Sequence, residues 1–225
     1  MSHAQYLFPF VTDEIHSTSP TKTMRPEHLK LEDSRSGIRA CVAQSEQDLR
    51  AASKLVEQRY GWRGYGSSEA EPAEGQGRII TLIAEHENSP AGTLSVRFDS
   101  AQGLGADETF KVEVDRLRAK GGFVCEYTRL AIAAETPSSS VLALLIRLAF
   151  MVSRGLKAAT DTVIEINPRH SRFYQRVLDF NVISSLRVCP RVQAPALLLH
   201  WDLCGIESSL QRLGNFYTNS IAIAA

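Results

Sequence analysis

Apolar residues along the chain switch between a period of two and a longer, helical period, in an order that predicts a mixed α/β fold. Ile38-Arg39-Ala40-Cys41-Val42-Ala43 places apolar side chains at alternate positions, as a half-buried strand does. From Glu46 the spacing lengthens, and Leu49, Ala52, Leu55, Val56 and Tyr60 form one stripe of a helix that ends near Gly61. Ser45 stands at its N-cap, with Asp48 where a capping box carries Glu or Gln. Period two returns over residues 79–85 and 91–98 around Glu87-Asn88-Ser89-Pro90, which predicts a β-hairpin. Asp107 caps a helix over residues 108–120, closed by Gly121-Gly122, and residues 123–132 read as the next strand. Residues 138–155 form the most apolar helix, its buried face carrying Leu142, Leu145, Leu148, Ala149 and Val152. Strands over 162–166, 181–188 and 196–203 and a helix over 168–178 complete the pattern. The expectation is a single α/β domain over residues 37–204, with a mostly antiparallel central sheet and helices on both faces.

The flanks lack this periodicity. Residues 1–36 are rich in Ser, Thr, Pro and charge, and are expected to form a flexible leader; residues 205–225 read as a tail. Between the first helix and the hairpin, Trp62-Arg63-Gly64-Tyr65-Gly66 exposes two large aromatics ahead of an acidic, glycine-rich stretch. That is unusual for a mere connector.

Composition narrows the class without deciding it. The 44% apolar and 22% charged fractions are those of an ordinary globular protein. Lys and Arg together number 25, as do Asp and Glu, so no overall field favours nucleic acid. No apolar run approaches the ~18 residues that cross a bilayer, and no signal-peptide pattern opens the chain. The four cysteines have no CxxC spacing and read as reduced structural thiols of a cytoplasmic protein. His170 has no ligand-spaced partner and Glu85-His86-Glu87 ends a hairpin, so no metal site is expected. A P-loop, GxGxxG and GxSxG are all absent.

The chemistry concentrates between Cys125 and Phe180. Glu126 is a carboxylate inside an apolar strand, where burial raises its proton affinity towards that of a general base. The alternative is a sheet carboxylate paired with Arg129 or with a cross-strand base. Arg129 follows three residues on, and strict alternation sends it to the opposite face, so a shared site demands a bulge between them. A bidentate anion site or a solvated edge charge are the two readings of Arg129. Ser138, Ser139 and Ser140 open the apolar helix, where free N–H groups favour a phosphate; a plain serine cap is the simpler reading. Tyr174 offers a phenol on the last helix, although an adjacent Phe-Tyr pair is more often core.

Read together, these segments resemble known acyltransferases. Asn167-Pro168-Arg169-His170-Ser171-Arg172-Phe173-Tyr174-Gln175-Arg176-Val177-Leu178-Asp179-Phe180 resembles the segment of GNAT acyltransferases that runs from N-x5-F-Y to a closing G-F, with Asp179 where glycine is usual. Cys125-Glu126-Tyr127-Thr128-Arg129-Leu130-Ala131-Ile132 resembles the E-x-x-R strand of acyl-homoserine-lactone synthases and long-chain N-acyl amino acid synthases. The wider pattern, over about residues 38–203, is most similar to the FeeM-like N-acyl amino acid synthases. That resemblance implies a GNAT-type fold with splayed central strands. It also implies transfer of a fatty acyl group from acyl carrier protein, or acyl-CoA, to the α-amine of an amino acid.

By matched position, Glu126 and Arg129 carry over as catalytic residues, and Tyr174 from the broader GNAT pattern as the proton donor to the leaving thiolate. Trp62, Tyr65, Arg97 and Thr128 are assigned to the acceptor site, and Ser138, Ser139 and Ser140 to the phosphopantetheine. The co-substrate is an acyl-phosphopantetheine thioester, with no tightly bound cofactor expected. The loop before Ser138 lacks R/Q-x-x-G-x-G/A, which suits a carrier-protein donor better than coenzyme A. The rivals are an acetyl-CoA-dependent acetyltransferase, an acyl-homoserine-lactone synthase and a non-catalytic acyl-binding module.

Overall fold

The computed structural model describes residues 29–61 and 78–204, and within them the predicted alternation becomes a nine-stranded sheet with helices on both faces. The strands are β1 (Lys30–Asp33), β2 (Ile38–Val42), β3 (Ile79–His86), β4 (Ser89–Phe98), β5 (Val124–Ile132), β6 (Asp161–Ile166), β7 (Asn181–Val182), β8 (Arg187–Cys189) and β9 (Ala194–Asp202). The helices are α1 (Glu46–Tyr60), α2 (Asp107–Ala119), α3 (Ser138–Phe150) and α4 (Ser171–Leu178). Sheet order is β1-β2-β3-β4-β5-β6-β9-β7, with β8 also paired to β9. Every pairing is antiparallel except β5 with β6.

Local chemistry accounts for several element ends. The Ser45 hydroxyl accepts the Asp48 N–H while Asp48 returns the bond to the Ser45 N–H, so the capping box forms with Asp in place of Glu. The hairpin turn is tighter than expected. Ser89 and Pro90 already belong to β4, and Glu87 and Asn88 alone turn the chain at φ 51° and 60°. Positive φ at both central residues matches the right-handed twist of the flanking strands. At the end of α4, Asp179 takes φ 61°, and its N–H bonds the Tyr174 carbonyl. It performs the left-handed termination usually left to glycine, which accounts for an aspartate at that position.

Several expectations need correction. β1 lies within the stretch read as leader; it pairs with β2 from Lys30 opposite Cys41 to Asp33 opposite Ile38. Leu49 stays 43% exposed, so the buried side of α1 is Ala52 and Leu55. Asp107 does not cap α2: its carboxylate accepts the Leu104 N–H and pairs with Arg118. The strand expected over 181–188 breaks into β7 and β8. Finally, α3 continues through a π-helical turn (Met151–Leu156), and the combined 19-residue helix is apolar enough to span a bilayer by length and composition. Most of it is buried against the sheet, which makes it a core helix.

Two cores flank the sheet. The larger joins α3, Tyr174, Leu178 and Phe180 to β2–β5, β6 and β9 through residues such as Leu82, Leu94, Val96, Cys125 and Tyr127. The smaller joins Phe110, Val114 and Leu117 of α2 to Val124, Val163 and Leu198. Cys125 and Cys189 are buried free thiols, and burial pushes Cys125 up to about 11.

Two irregularities position the site. β5 and β6 pair only from Val124–Glu126 to Asp161–Val163 and then part, leaving a wedge between their remaining lengths. Beside it, the β4–β5 register slips between Thr93 and Ser95, with Thr93 opposite Ala131 and Ser95 opposite Thr128. The extra residue falls at Arg129–Leu130, and Arg129 takes φ 56°, a conformation a non-glycine residue rarely adopts.

Candidate active site

Glu126 lies where the paired part of β5 ends, on the face covered by α2, and is only 2% exposed. Its Cα partner across the sheet is Arg97 of β4. One carboxylate oxygen accepts the Gly105 N–H at 2.7 Å from the loop before α2. Desolvation raises its proton affinity. The charges of Arg97 and Arg191 and the Gly105 hydrogen bond oppose that rise, Glu165 reinforces it, and the balance leaves the carboxyl above its ordinary range. A buried carboxylate with raised proton affinity is what removal of a proton from an ammonium requires.

The bulge demanded by the Glu126-to-Arg129 spacing is present. The cations whose charge favours the ionised form of Glu126 are Arg97, its neighbour across the β4–β5 pair, and Arg191. At the bulge, the Tyr60 hydroxyl donates to the Leu130 carbonyl at 2.6 Å and docks the end of α1 on this part of β5. Thr128 is half-buried opposite Ser95.

Tyr174 belongs to the larger core on the other face. It packs edge-on against Phe173 and Phe180, with centroids 5.5 and 5.8 Å away. Burial, with Tyr60 nearby, holds its phenol well above the ordinary range, so it stays protonated. Ser138 is exposed, Ser139 half-buried and Ser140 buried at the start of α3, capped by Pro137 without a side-chain bond. Trp62 and Tyr65 lie outside the described residues.

Two residues of this neighbourhood escaped the sequence reading. Arg191 sits in the turn between β8 and β9, where it pairs with Glu165 and, at 3.4 Å, with Glu108. Gly105 leaves room for the charged cluster: a Cβ there would lie 2.5 Å from Arg191 Nη1 and 3.1 Å from both Glu126 oxygens. The glycines of Gly103-Leu104-Gly105 were the available signal. Gly105→Ala is expected to lower stability by about 1–3 kcal/mol, read from the denaturant midpoint.

The loop holding Gly105 is itself anchored. Arg118 of α2 donates to Asp99 through Nε (2.6 Å) and Nη2 (2.8 Å), to both Asp107 oxygens at 2.7 Å and to Asp115 at 2.7 Å. Burial pushes Asp107 up, but the hydrogen bonds from Arg118 and the Leu104 N–H outweigh it and hold the carboxyl below the usual range.

Comparison with known proteins agrees with this architecture. A family model described as N-acyl amino acid synthase FeeM matches residues 51–202. The solved structure of FeeM, an N-acyl amino acid synthase from uncultured soil microbes, is similar at 26% identity and TM-score 0.68, covering 76% of this chain and 93% of that one. The acyl-homoserine-lactone synthase LasI is similar at 16% identity and TM-score 0.56, covering 75% and 91%. An acyl-CoA N-acyltransferase from Pseudomonas aeruginosa is similar at 11% identity and TM-score 0.51, covering 72% and 97%. The last two likenesses are of fold alone. No curated protein sequence matches the chain. The family match spans well over half of the sequence, and the chain belongs to the FeeM family of N-acyl amino acid synthases, acyltransferases on a GNAT-like fold.

Proposed function

We propose that this enzyme moves a long-chain fatty acyl group from the phosphopantetheine of acyl carrier protein to the α-amine of an amino acid. The observation that carries this reading is the buried Glu126, raised in proton affinity, at the edge of the β5–β6 wedge. The thioester arm enters between the parted strands, with its phosphate near Ser138–Ser140. Glu126, directly or through a water, takes a proton from the acceptor's ammonium. The nitrogen lone pair then attacks the thioester carbonyl, and strand N–H groups facing the wedge stabilise the oxyanion. Attack forms the C–N bond, collapse of the tetrahedral intermediate breaks the C–S bond, and the departing thiolate takes the Tyr174 proton. The proton then shed by the nitrogen restores the phenol through solvent, and Glu126 releases its own proton to solvent. Arg129, with Arg97 and Thr128, orients the acceptor's carboxylate, and Trp62 and Tyr65 close over it.

A carrier-protein donor is favoured over coenzyme A by the glycine-free loop before α3 and by α4. The segment leading into and along α4 exposes Arg169, Arg172 and Arg176 directly after β6, a basic surface suited to an acidic carrier. The reaction then belongs in the cytoplasm, where such carriers work.

Mass spectrometry of lipid extracts from cells overproducing the chain tests the proposal. The expected result is a new N-acyl amino acid with a long acyl chain, absent when Glu126 is replaced by glutamine. Acetylated amines alone, a lactone formed only with S-adenosylmethionine, or bound lipid without turnover would each replace this reading with a different one.

A further inference from the structure

A second cation acting on the base comes from a part of the fold that the acyltransferase reading has not used. Arg191 reaches in from the β8–β9 turn, a hairpin tip in which Gln193 adopts φ 49° and its side-chain amide donates to the Pro190 carbonyl. Its guanidinium faces three carboxylates, and the Cys189 side chain also accepts a hydrogen bond from it. Nη2 bonds Glu165 of β6, whose side chain is only 9% exposed, and Nε faces Glu108 of α2. Nη1 turns the other way, towards Gly105 and Glu126: both it and the Glu126 oxygens crowd the point where a Gly105 side chain would begin.

Glu126 is therefore enclosed from every element packed around it. Arg97 faces it from β4, Glu165 from β6, the Gly105 N–H from the loop before α2, and Arg191 from the hairpin tip. Glu165 repels it, and Arg191 is the group that lies between the two acids.

We propose that Arg191 is a positioning residue for Glu126: clamped by Glu165 and Glu108, its guanidinium holds the carboxylate against the Gly105 N–H and ties the base's ionisation to docking of the β8–β9 hairpin. The planar fork matters as well as the charge, because bonding Glu165 and Glu108 while presenting Nη1 to Glu126 needs donors in fixed directions. A lysine supplies the charge at a single point. The catalytic meaning of this arrangement rests on Glu126 acting as the base; the arrangement itself does not.

The Gly105 amide provides a probe independent of turnover. In 1H–15N spectra of the full chain, its shift follows the ionisation of the carboxylate it bonds, and Glu126→Gln should abolish that transition and so assign it. Arg191→Met leaves Glu126 facing Glu165 with no cation between them. Its Gly105 midpoint is expected to move up by about one pH unit, roughly a tenfold gain in proton affinity, and Arg191→Lys to move it by less. The acid limb of kcat/KM for acyl transfer should move by the same amount. An unchanged Gly105 midpoint in the methionine variant overturns the proposal, as does an activity loss with an unmoved acid limb. If the methionine variant does not fold, the lysine variant carries the same readout, and an unshifted midpoint there has the same force. A shifted midpoint in a protein that transfers no acyl group would remove the acyltransferase role of Glu126 and leave the positioning intact.

Discussion

Glu126→Gln is expected to lower kcat by about 10²–10⁴-fold, the usual range for loss of a general base, without lowering the melting temperature at neutral pH. The two halves of this result have one cause. The native carboxyl binds its proton more tightly than the unfolded chain does, with an ordinary value of 4.5. Between the two values the native state holds more protons, so stability falls as pH rises through that window. Glutamine has no charge to desolvate, and the variant should match or exceed the wild type at and above neutrality, with the difference vanishing in acid. The wild-type kcat/KM should fall as pH drops through a limb that lies above 4.5, and steady-state kinetics across pH locate it. Activity in the glutamine variant within a factor of a few of wild type would falsify the role of Glu126 as base.

The second large effect lies away from the chemistry. Arg118→Leu leaves Asp99 and Asp107 facing each other across the mouth of the loop that carries Gly105, with Asp115 at its rim. Removing one partner of a buried ion pair is costly because the other is left without compensation. Here the Arg118 side chain is 25% exposed, so the low end applies: about 3 kcal/mol from the Asp99 and Asp107 pairs, or roughly 6–12 °C in melting temperature. The sign with pH is opposite to that of Glu126. Asp107 is held below its ordinary 3.8, so its contribution is complete above that value and is lost as pH falls through the lowered one. Thermal melts should show wild type and variant converging in strong acid and separating by neutrality. Turnover should fall with the variant too, because a loosened loop no longer holds the Gly105 N–H against Glu126.

What could be read in advance followed from how far along the chain each cause lies. The Ser45–Asp48 box and the Glu87-Asn88 turn depend on residues a few positions apart, and both were legible. The bulge was legible as a demand, since an acid and a base three apart on a strand meet only if the alternation breaks, and Arg129 breaks it. β1 was not legible, because an edge strand reading Lys-Leu-Glu-Asp has one apolar residue and takes its stability from β2. Asp107 misled because its carboxylate had two local uses, and Arg118 decided between them. Arg191 had no local signature at all. Its importance arises only after β6, β9 and the β8–β9 turn have folded back beside β5, bringing together residues widely separated in sequence.

The short β5–β6 contact has one more consequence. A continuous sheet transmits strain along an unbroken ladder, whereas this one is joined in the middle by three residues on each strand. Its ladder divides into two parts, β1–β5 and β6 with β7–β9, joined at a narrow seam. On the proposed function, a thioester arm lying in the opening would take up the backbone groups of β5 and β6 beyond that contact, and so act as the missing stitch. Donor affinity and cohesion across the seam would then be one free energy seen from two sides: whatever tightens the seam would prepare the donor site, and a bound donor would tighten the seam.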